Sequence, residues 1–304
     1  MNLRLVTILL TLSCIHSFAQ DIRCKVVDST TGKPLTYATI IYGNNAKITY
    51  TDSLGNFFLE KDSVDVNDKV SIEFLGYDKR SFLIKELLSL NEIKLQQSTN
   101  VLAPVVVQSC KKLTQVVLNK RVGNIKQYVG PGPETRFIII ARYMNNKGRS
   151  GYIDNINLLM NETTSNFKVP IRLHWYEWDD VKHAPGKELT DTNLVMYATA
   201  KGWNNFALPK NKIYFDFNDV VIGIEFIYPV EQIEQFKNLQ TSNDKISWLQ
   251  NMQNRWSLGL QQGETGDDGS FYIMNNEPVK KYGSPDQKVF YKPAIKFTVT
   301  TCKR

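Results

Sequence analysis

From Asp21 to about Gln97, apolar and polar positions alternate in short runs broken by turn residues. Ile22, Cys24 and Val26 alternate with Arg23 and Lys25, the two-residue period of a half-buried strand. Thr31-Gly32-Lys33-Pro34 reads as a turn, because glycine accepts a positive φ and proline fixes its own. Tyr37 to Tyr42 is a β-rich strand, Gly43-Asn44-Asn45 reverses the chain and Lys47 to Thr51 returns it. Asp52-Ser53-Leu54-Gly55 is a second tight turn, ahead of a strand from Gly55 to Glu60. Val70, Ile72 and Phe74 form another inward face. Gly76 breaks that run, and Phe82 to Ile84 with Glu92 to Leu95 bring the total to about seven strands, the pattern of a β-sandwich.

The texture changes at Ser98. Val101 to Val107 is an extended apolar run, read as a final strand or a packed linker. Lys111 to Val129 predicts an amphipathic helix with Leu113, Val116, Val117 and Leu118 on or near one side, ended by Gly130-Pro131-Gly132-Pro133. Alternation resumes at Glu134. Phe137, Ile139, Ala141 and Tyr143 share one face; so do Ile156, Leu158 and Met160; Ile171, Leu173 and Trp175; and Val220, Ile222, Ile224 and Phe226. Pro185-Gly186-Lys187 reads as a turn, Lys201 to Asn204 as a turn leading into a short strand, Val230 to Arg255 as one or two inserted helices, and Ser270 to Met274 and Ala294 to Thr300 as closing strands. Roughly eight to ten such strands predict a second β-sandwich of jelly-roll type. The expected organisation is a leader at 1–19, a first β-sandwich at 20–97, a linker at 98–133 and a jelly-roll-like sandwich at 134–304, all-β but for a small helical insertion.

The leader reading rests on Arg4, the apolar run Leu5 to Leu12, too short to span a bilayer, and the small residues Ser17 and Ala19 before a cleavage point after Ala19. It predicts export to the periplasm, the outer membrane or cell surface, or the medium. Lipidation at Cys14 is the rival reading, with Thr11 where an aliphatic residue is expected. No later stretch approaches about 18 consecutive apolar residues, so no transmembrane span is expected. Cleavage leaves Cys24, Cys110 and Cys302, an odd number: either idle buried thiols or one bridge. The net charge is +7. Its one concentration, Lys111, Lys112, Lys120, Arg121 and Lys126, reads as a solvated face; nucleic acid is not an expected partner.

The set Gly32-x-Pro34-Leu35, Ala38-x-Ile40, Thr51-Asp52 and Gly55-x-Phe57 resembles the carboxypeptidase regulatory-like domain. The resemblance implies a transthyretin-like (prealbumin-like) sandwich, found at the front of exported proteins of the Bacteroidota, and no peptidase activity. Val101 to Val107 is similar to the segment that follows this domain in TonB-dependent receptors, although the remaining length leaves no room for a plug and barrel. Pro185-Gly186-Lys187-x-Leu189, Gly202-Trp203 and Gly223-x-Glu225 are similar to an uncharacterised β-sandwich module behind such domains, and in outline to galactose-binding-type jelly rolls.

Candidate chemistry is sparse. With Ile171, Leu173 and Trp175 inward, Arg172, His174, Tyr176 and Trp178 share the other face. Rings beside polar donors suit a sugar, stacking plus hydrogen bonds to hydroxyls; the alternative is that this face is covered by the inserted helices or by the first domain. His174 and Glu177 have zinc-motif spacing, but a strand turns them to opposite faces. Gly263 to Ser270 gathers acidic oxygens without an EF-hand ladder, and Glu177, Asp179 and Asp180 form an acidic knot near Trp178; both read as solvated. The two histidines beyond the leader, His174 and His183, are too few for a three-histidine zinc site, and no GxSxG elbow or phosphate-binding glycine loop occurs. The expectation is an exported binding or scaffold protein of the cell envelope, with no catalytic residue, metal or cofactor, engaging an envelope protein or a glycan. The rival is an envelope hydrolase using carboxylates of the second domain.

Overall fold

A computed structural model describes residues 21–60, 64–98, 112–130, 135–144, 150–161, 169–199, 201–209, 213–215, 219–228, 257–262, 270–274, 278–281 and 291–303. The leader and Cys14, the 101–107 run, Cys110, the 230–255 insertion and the 263–269 loop lie outside these residues. The chain forms two compact units, one of Met1–Phe74 with Asp78–Gln97 and one of Leu75–Tyr77 with Ser98–Arg304. The described elements are strands, apart from a single helical turn at Ile84–Leu87. Among the described residues no helix is long and apolar enough to cross a membrane.

The first unit holds β1 (Ile22–Asp28), β2 (Thr39–Tyr42), β3 (Lys47–Tyr50), β4 (Asn56–Leu59), β5 (Lys69–Glu73), β6 (Arg80–Leu83) and β7 (Glu92–Leu95). They make two sheets, β4-β1-β7 and β3-β2-β5-β6, antiparallel except where β1 runs parallel to β7. Ile22, Cys24 and Val26 are buried, as their spacing predicts, along with Ile40, Leu59, Ile72 and Leu95. The turn before β4 is built by side-chain chemistry. Asp52 Oδ1 accepts from the Leu54 and Asn56 amides at 2.8 and 2.7 Å. Gly55 takes a φ of +80°, and a Cβ there would lie 2.6 Å from the Val26 carbonyl oxygen. Cys24 is a free thiol that donates to the Leu90 carbonyl at 2.8 Å, and burial pushes its pKa up to about 11.

The second unit continues with β8 (Lys112–Leu118), β9 (Ile125–Val129), β10 (Phe137–Met144), β11 (Gly151–Met160), β12 (Val169–Asp179), β13 (Ala184–Glu188), β14 (Leu194–Ala198), β15 (Gly202–Ala207), β16 (Tyr214–Phe215), β17 (Asp219–Phe226), β18 (Leu258–Gln262), β19 (Ser270–Met274), β20 (Lys280–Lys281), β21 (Tyr291–Pro293) and β22 (Ile295–Lys303). A seven-stranded sheet runs β13-β12-β17-β10-β19-β20, with β14 also on β12. An eight-stranded sheet runs β21-β18-β11-β22-β8, with β15 and β16 on β11 and β9 on β18. The chain crosses repeatedly between the sheets, as from β9 through β10 and β11 to β12 and from β16 through β17 and β18 to β19, and both contribute to one core. Ile139, Ala141 and Tyr143 meet Ile156, Leu158 and Met160 there, with Ile171, Leu173, Trp175, Ile222, Ile224 and Phe226. These are the inward faces that alternation predicts.

Two expectations change. The helix expected across Lys111 to Val129 is instead β8 and β9. Leu113, Val116, Val117 and Leu118 fit a helical face and a strand equally well, but β-branched Thr114, Val116 and Val117 favour the strand. Antiparallel pairing with β22 settles it, with Val116 and Leu118 against the core and Leu113 and Val117 exposed. Pro185-Gly186-Lys187 is not a turn but part of β13. The reversal comes earlier, where Asp179 Oδ1 accepts from the Val181 and Lys182 amides and His183 takes a φ of +48°.

Candidate functional site

Strand period puts Arg172, His174, Tyr176 and Trp178 on the face of β12 turned away from the core. Register then decides what they meet. On β17, Glu225 lies opposite Arg172, Gly223 opposite His174 and Val221 opposite Tyr176. Glu188 of β13 lies opposite Tyr176. Arg172, His174 and Tyr176 are buried, His174 completely, and Trp178 is half-buried. Three of the four side chains are therefore buried, and they form no flat exposed platform.

Burial of so much charge is offset by pairing. Glu225 is fully buried and its Oε2 accepts from Arg172 Nη1 at 2.9 Å and lies 2.8 Å from His174 Nε2. Its Oε1 accepts from Arg136 Nε at 3.1 Å. His174 Nδ1 lies 2.7 Å from Glu188 Oε1, and Arg172 Nε donates to Asn193 Oδ1 at 2.7 Å. Burial alone would push the His174 imidazole down, but the hydrogen bonds to Glu188 and Glu225 outweigh it and hold its pKa above 6.5. Burial would raise Glu225, yet Arg172, Arg136 and His174 hold it well below the usual carboxylate range. Glu188 is lowered in the same way, burial opposing and His174 prevailing. The imidazolium is thus clamped between two carboxylates. Gly223 makes room for this: a Cβ there would lie 2.9 Å from the Tyr176 ring and 3.1 Å from His174 Cβ.

Tyr176 stacks on His174 with ring centroids 6.3 Å apart, and its buried hydroxyl has no hydrogen-bond partner among the described residues. Burial, reinforced by Glu188, raises its pKa well above 10. Trp178 sits beside the cluster rather than in it. The Arg142 guanidinium lies 4.3 Å over its ring and donates through Nε to Asp219 at 2.8 Å, while Phe271 meets it edge-on. Asp179 and Asp180 belong to the neighbouring turn, and Glu177 points outward. Strand parity finds Arg172 and His174, and it puts Glu225 on the face opposite Val220, Ile222, Ile224 and Phe226. Partners 51 to 53 residues away, and Glu188 and Arg136, emerge only once the register is known.

On the outer face of the other sheet Trp203, Asn205 and Ala207 are exposed and Asn155, Asn157, Leu159 and Lys296 half-buried. Across β15, β11 and β22, Asn205 lies opposite Asn157 and Asn157 opposite Lys296. One row along, Ala207, Asn155 and Thr298 align; one row the other way, Trp203 lies opposite Leu159. Trp203 is 41% exposed, with Lys296 Nζ 4.3 Å over its ring. A Cβ on Gly259 would lie 3.1 Å from Leu159 and 3.3 Å from the ring of Tyr128, itself 43% exposed, so its absence lets both side chains close over that strand. Among the described residues no group of three or more His, Cys, Asp or Glu side chains is arranged to hold a metal ion.

No curated protein matches the chain. A clostridial cysteine protease, solved after propeptide cleavage, aligns over 94% of this chain and 71% of its own at 9% identity, with a TM-score of 0.34. Residues 22–107 match the CarboxypepD_reg-like domain family, so the first unit, with its two small sheets and aspartate-glycine turn, is a carboxypeptidase regulatory-like domain of transthyretin-like β-sandwich fold.

Proposed function

We propose that this chain is a non-catalytic binding or scaffold protein of the cell envelope, engaging an envelope protein or a glycan. The observation that carries the reading is the state of His174. Both its nitrogens are engaged by carboxylates, it is fully buried, and Glu225 is shared with two arginines. A general acid or base needs reach to a substrate proton; this imidazole faces only the groups that hold it. A carboxylate pair for glycoside hydrolysis faces across a gap that admits substrate, whereas Glu188 and Glu225 bracket a side chain. A regulatory-like domain at the front and an export leader fit an envelope protein. The test is incubation of the intact chain with purified envelope material. Sedimentation with that material, without release of reducing ends or free amines above a blank, is the expected result. Release that grows with time and with protein concentration overturns the reading in favour of a hydrolase.

A further inference from the structure

We infer that the outer face of the eight-stranded sheet, around Trp203, is a glycan-binding surface; this rests on the binding reading above and names the ligand class and the face. Asparagine is disfavoured in strands, yet Asn155, Asn157 and Asn205 stand together on the paired strands β11 and β15. None of the three amides hydrogen-bonds to another described residue, so the fold gains nothing from them that a threonine or valine would not supply. Each presents donors and an acceptor outward. Beside them the indole of Trp203 is 41% exposed and the phenol of Tyr128 43% exposed.

Strand spacing fixes the scale. Three inter-strand steps from β15 to β9 and four residues along β15 make a patch of about 14 by 14 Å, room for a short oligosaccharide. An aromatic surface stacks on the apolar face of a sugar ring while amides bond its hydroxyls. Lys296 rests over the indole through a cation–π contact.

Charge argues against other occupants. A nucleic acid needs a row of phosphate-neutralising cations, whereas the described row at the centre of the patch is Asn155, Asn157 and Asn205. Asp154, the nearest carboxylate on this face, is taken up by Thr300 at 2.7 Å and Gln115 at 3.4 Å. A lipid surface or an apolar protein partner would meet the amide row, whose hydration it would have to strip. A polyhydroxylated ligand fits stacking and neutral amides together, and Lys296 admits acidic as well as neutral sugars.

The test is affinity electrophoresis of the intact chain through gels containing a neutral hexan, a polyuronate or solubilised peptidoglycan strands. At least one polymer is expected to retard the wild type. Trp203→Ala and the double variant Asn157→Ala/Asn205→Ala are expected to weaken that retention by about tenfold or more, with far-UV circular dichroism unchanged. Tyr197→Ala, an exposed aromatic of the other sheet, is expected to leave retention as it was. The amide pair keeps the test decisive if the tryptophan variant does not fold. Retention unaltered in both the tryptophan and amide variants overturns the assignment. A chain that sediments with envelope material but is retarded by no polymer overturns it while the binding reading stands; a chain that does neither overturns both.

Discussion

Replacing Glu225 with Gln keeps volume and shape and removes one buried charge. With His174 protonated, Arg136, Arg172 and His174 face Glu188 and Glu225, so the cluster carries net +1 and becomes +2 in the variant. Where the carboxylate offered only acceptors, the amide now turns a donor toward a donor, either Arg136 or the Arg172–His174 pair. Removing one partner of a buried ion pair costs about 3–5 kcal/mol. For a unit of this size each kcal/mol lowers Tm by about 2–4 °C, so the loss should be about 6–20 °C. His174 offers partial relief. When it deprotonates, Nε2 can accept from the new amide while Nδ1 still donates to Glu188, so the variant should be more impaired at pH 5 than at pH 8. Urea unfolding followed by tryptophan fluorescence measures this cleanly, because all five tryptophans lie beyond Gln97 and report the second unit. A loss below about 1 kcal/mol, the range of a surface pair, or a loss independent of pH, would show that the cluster is not the tightly held buried network described.

Three further outcomes follow from the same geometry. In the wild type, the His174 contribution is complete below pH 6.5 and fades as pH rises through its raised folded pKa; those of Glu188 and Glu225 are complete above pH 4.5 and fade as pH falls through their lowered ones. The urea midpoint of the second unit should therefore peak between about pH 4.5 and 6.5, and His174→Gln should abolish the alkaline slope; a slope that persists refutes the assignment. Gly55→Ala forces an L-residue to φ +80° and a Cβ to within 2.6 Å of the Val26 carbonyl oxygen, so the first unit should lose more than about 1 kcal/mol by hydrogen exchange of β1 and β4, with the tryptophan transition unmoved. In a variant with Cys24 as its one cysteine, the thiol, pushed up to about pKa 11 and bonded to Leu90, should resist a disulfide reagent at pH 8 until urea is added; prompt labelling of the native protein would contradict its burial.

What the sequence discloses is local. The turn of Asp52 to Gly55 is written in four residues, and the seven strands around it follow from turn chemistry and a two-residue period. In the second unit the same period separates Ile171, Leu173 and Trp175 from Arg172, His174, Tyr176 and Trp178. It does not say whether the second face is wet. That depends on which strand lies alongside, and Glu225 is 53 residues from Arg172. Lys112–Leu118 fails for a related reason: seven residues with four apolar positions fit either period, and only the β22 hydrogen bonds choose. The Trp203 patch is invisible one strand at a time, because Asn157 and Asn205 become neighbours only through the β11–β15 register.

The two outer faces of the second unit differ in packing. The face of the seven-stranded sheet has a small core of its own, Ile138, Ile140, Tyr176, Val221 and Phe271, beside the ion cluster. β10 is consequently buried on both sides, which is why its sequence runs Phe-Ile-Ile-Ile-Ala without a clear alternation. Such a strand carries a weak signal of which face is which, and a slip of one residue would exchange them. β12 and β17 supply the missing information. A one-residue slip of β12 would drive Arg172 and His174 between the sheets, away from Glu225, Glu188 and Asn193, and leave charges among Ile222, Ile224 and Phe226. Buried ion pairs contribute little net stability against apolar replacements, but the alternative register is far worse. The cluster therefore pins the register of the central strands, and with it the alignment of the core on which the eight-stranded sheet rests.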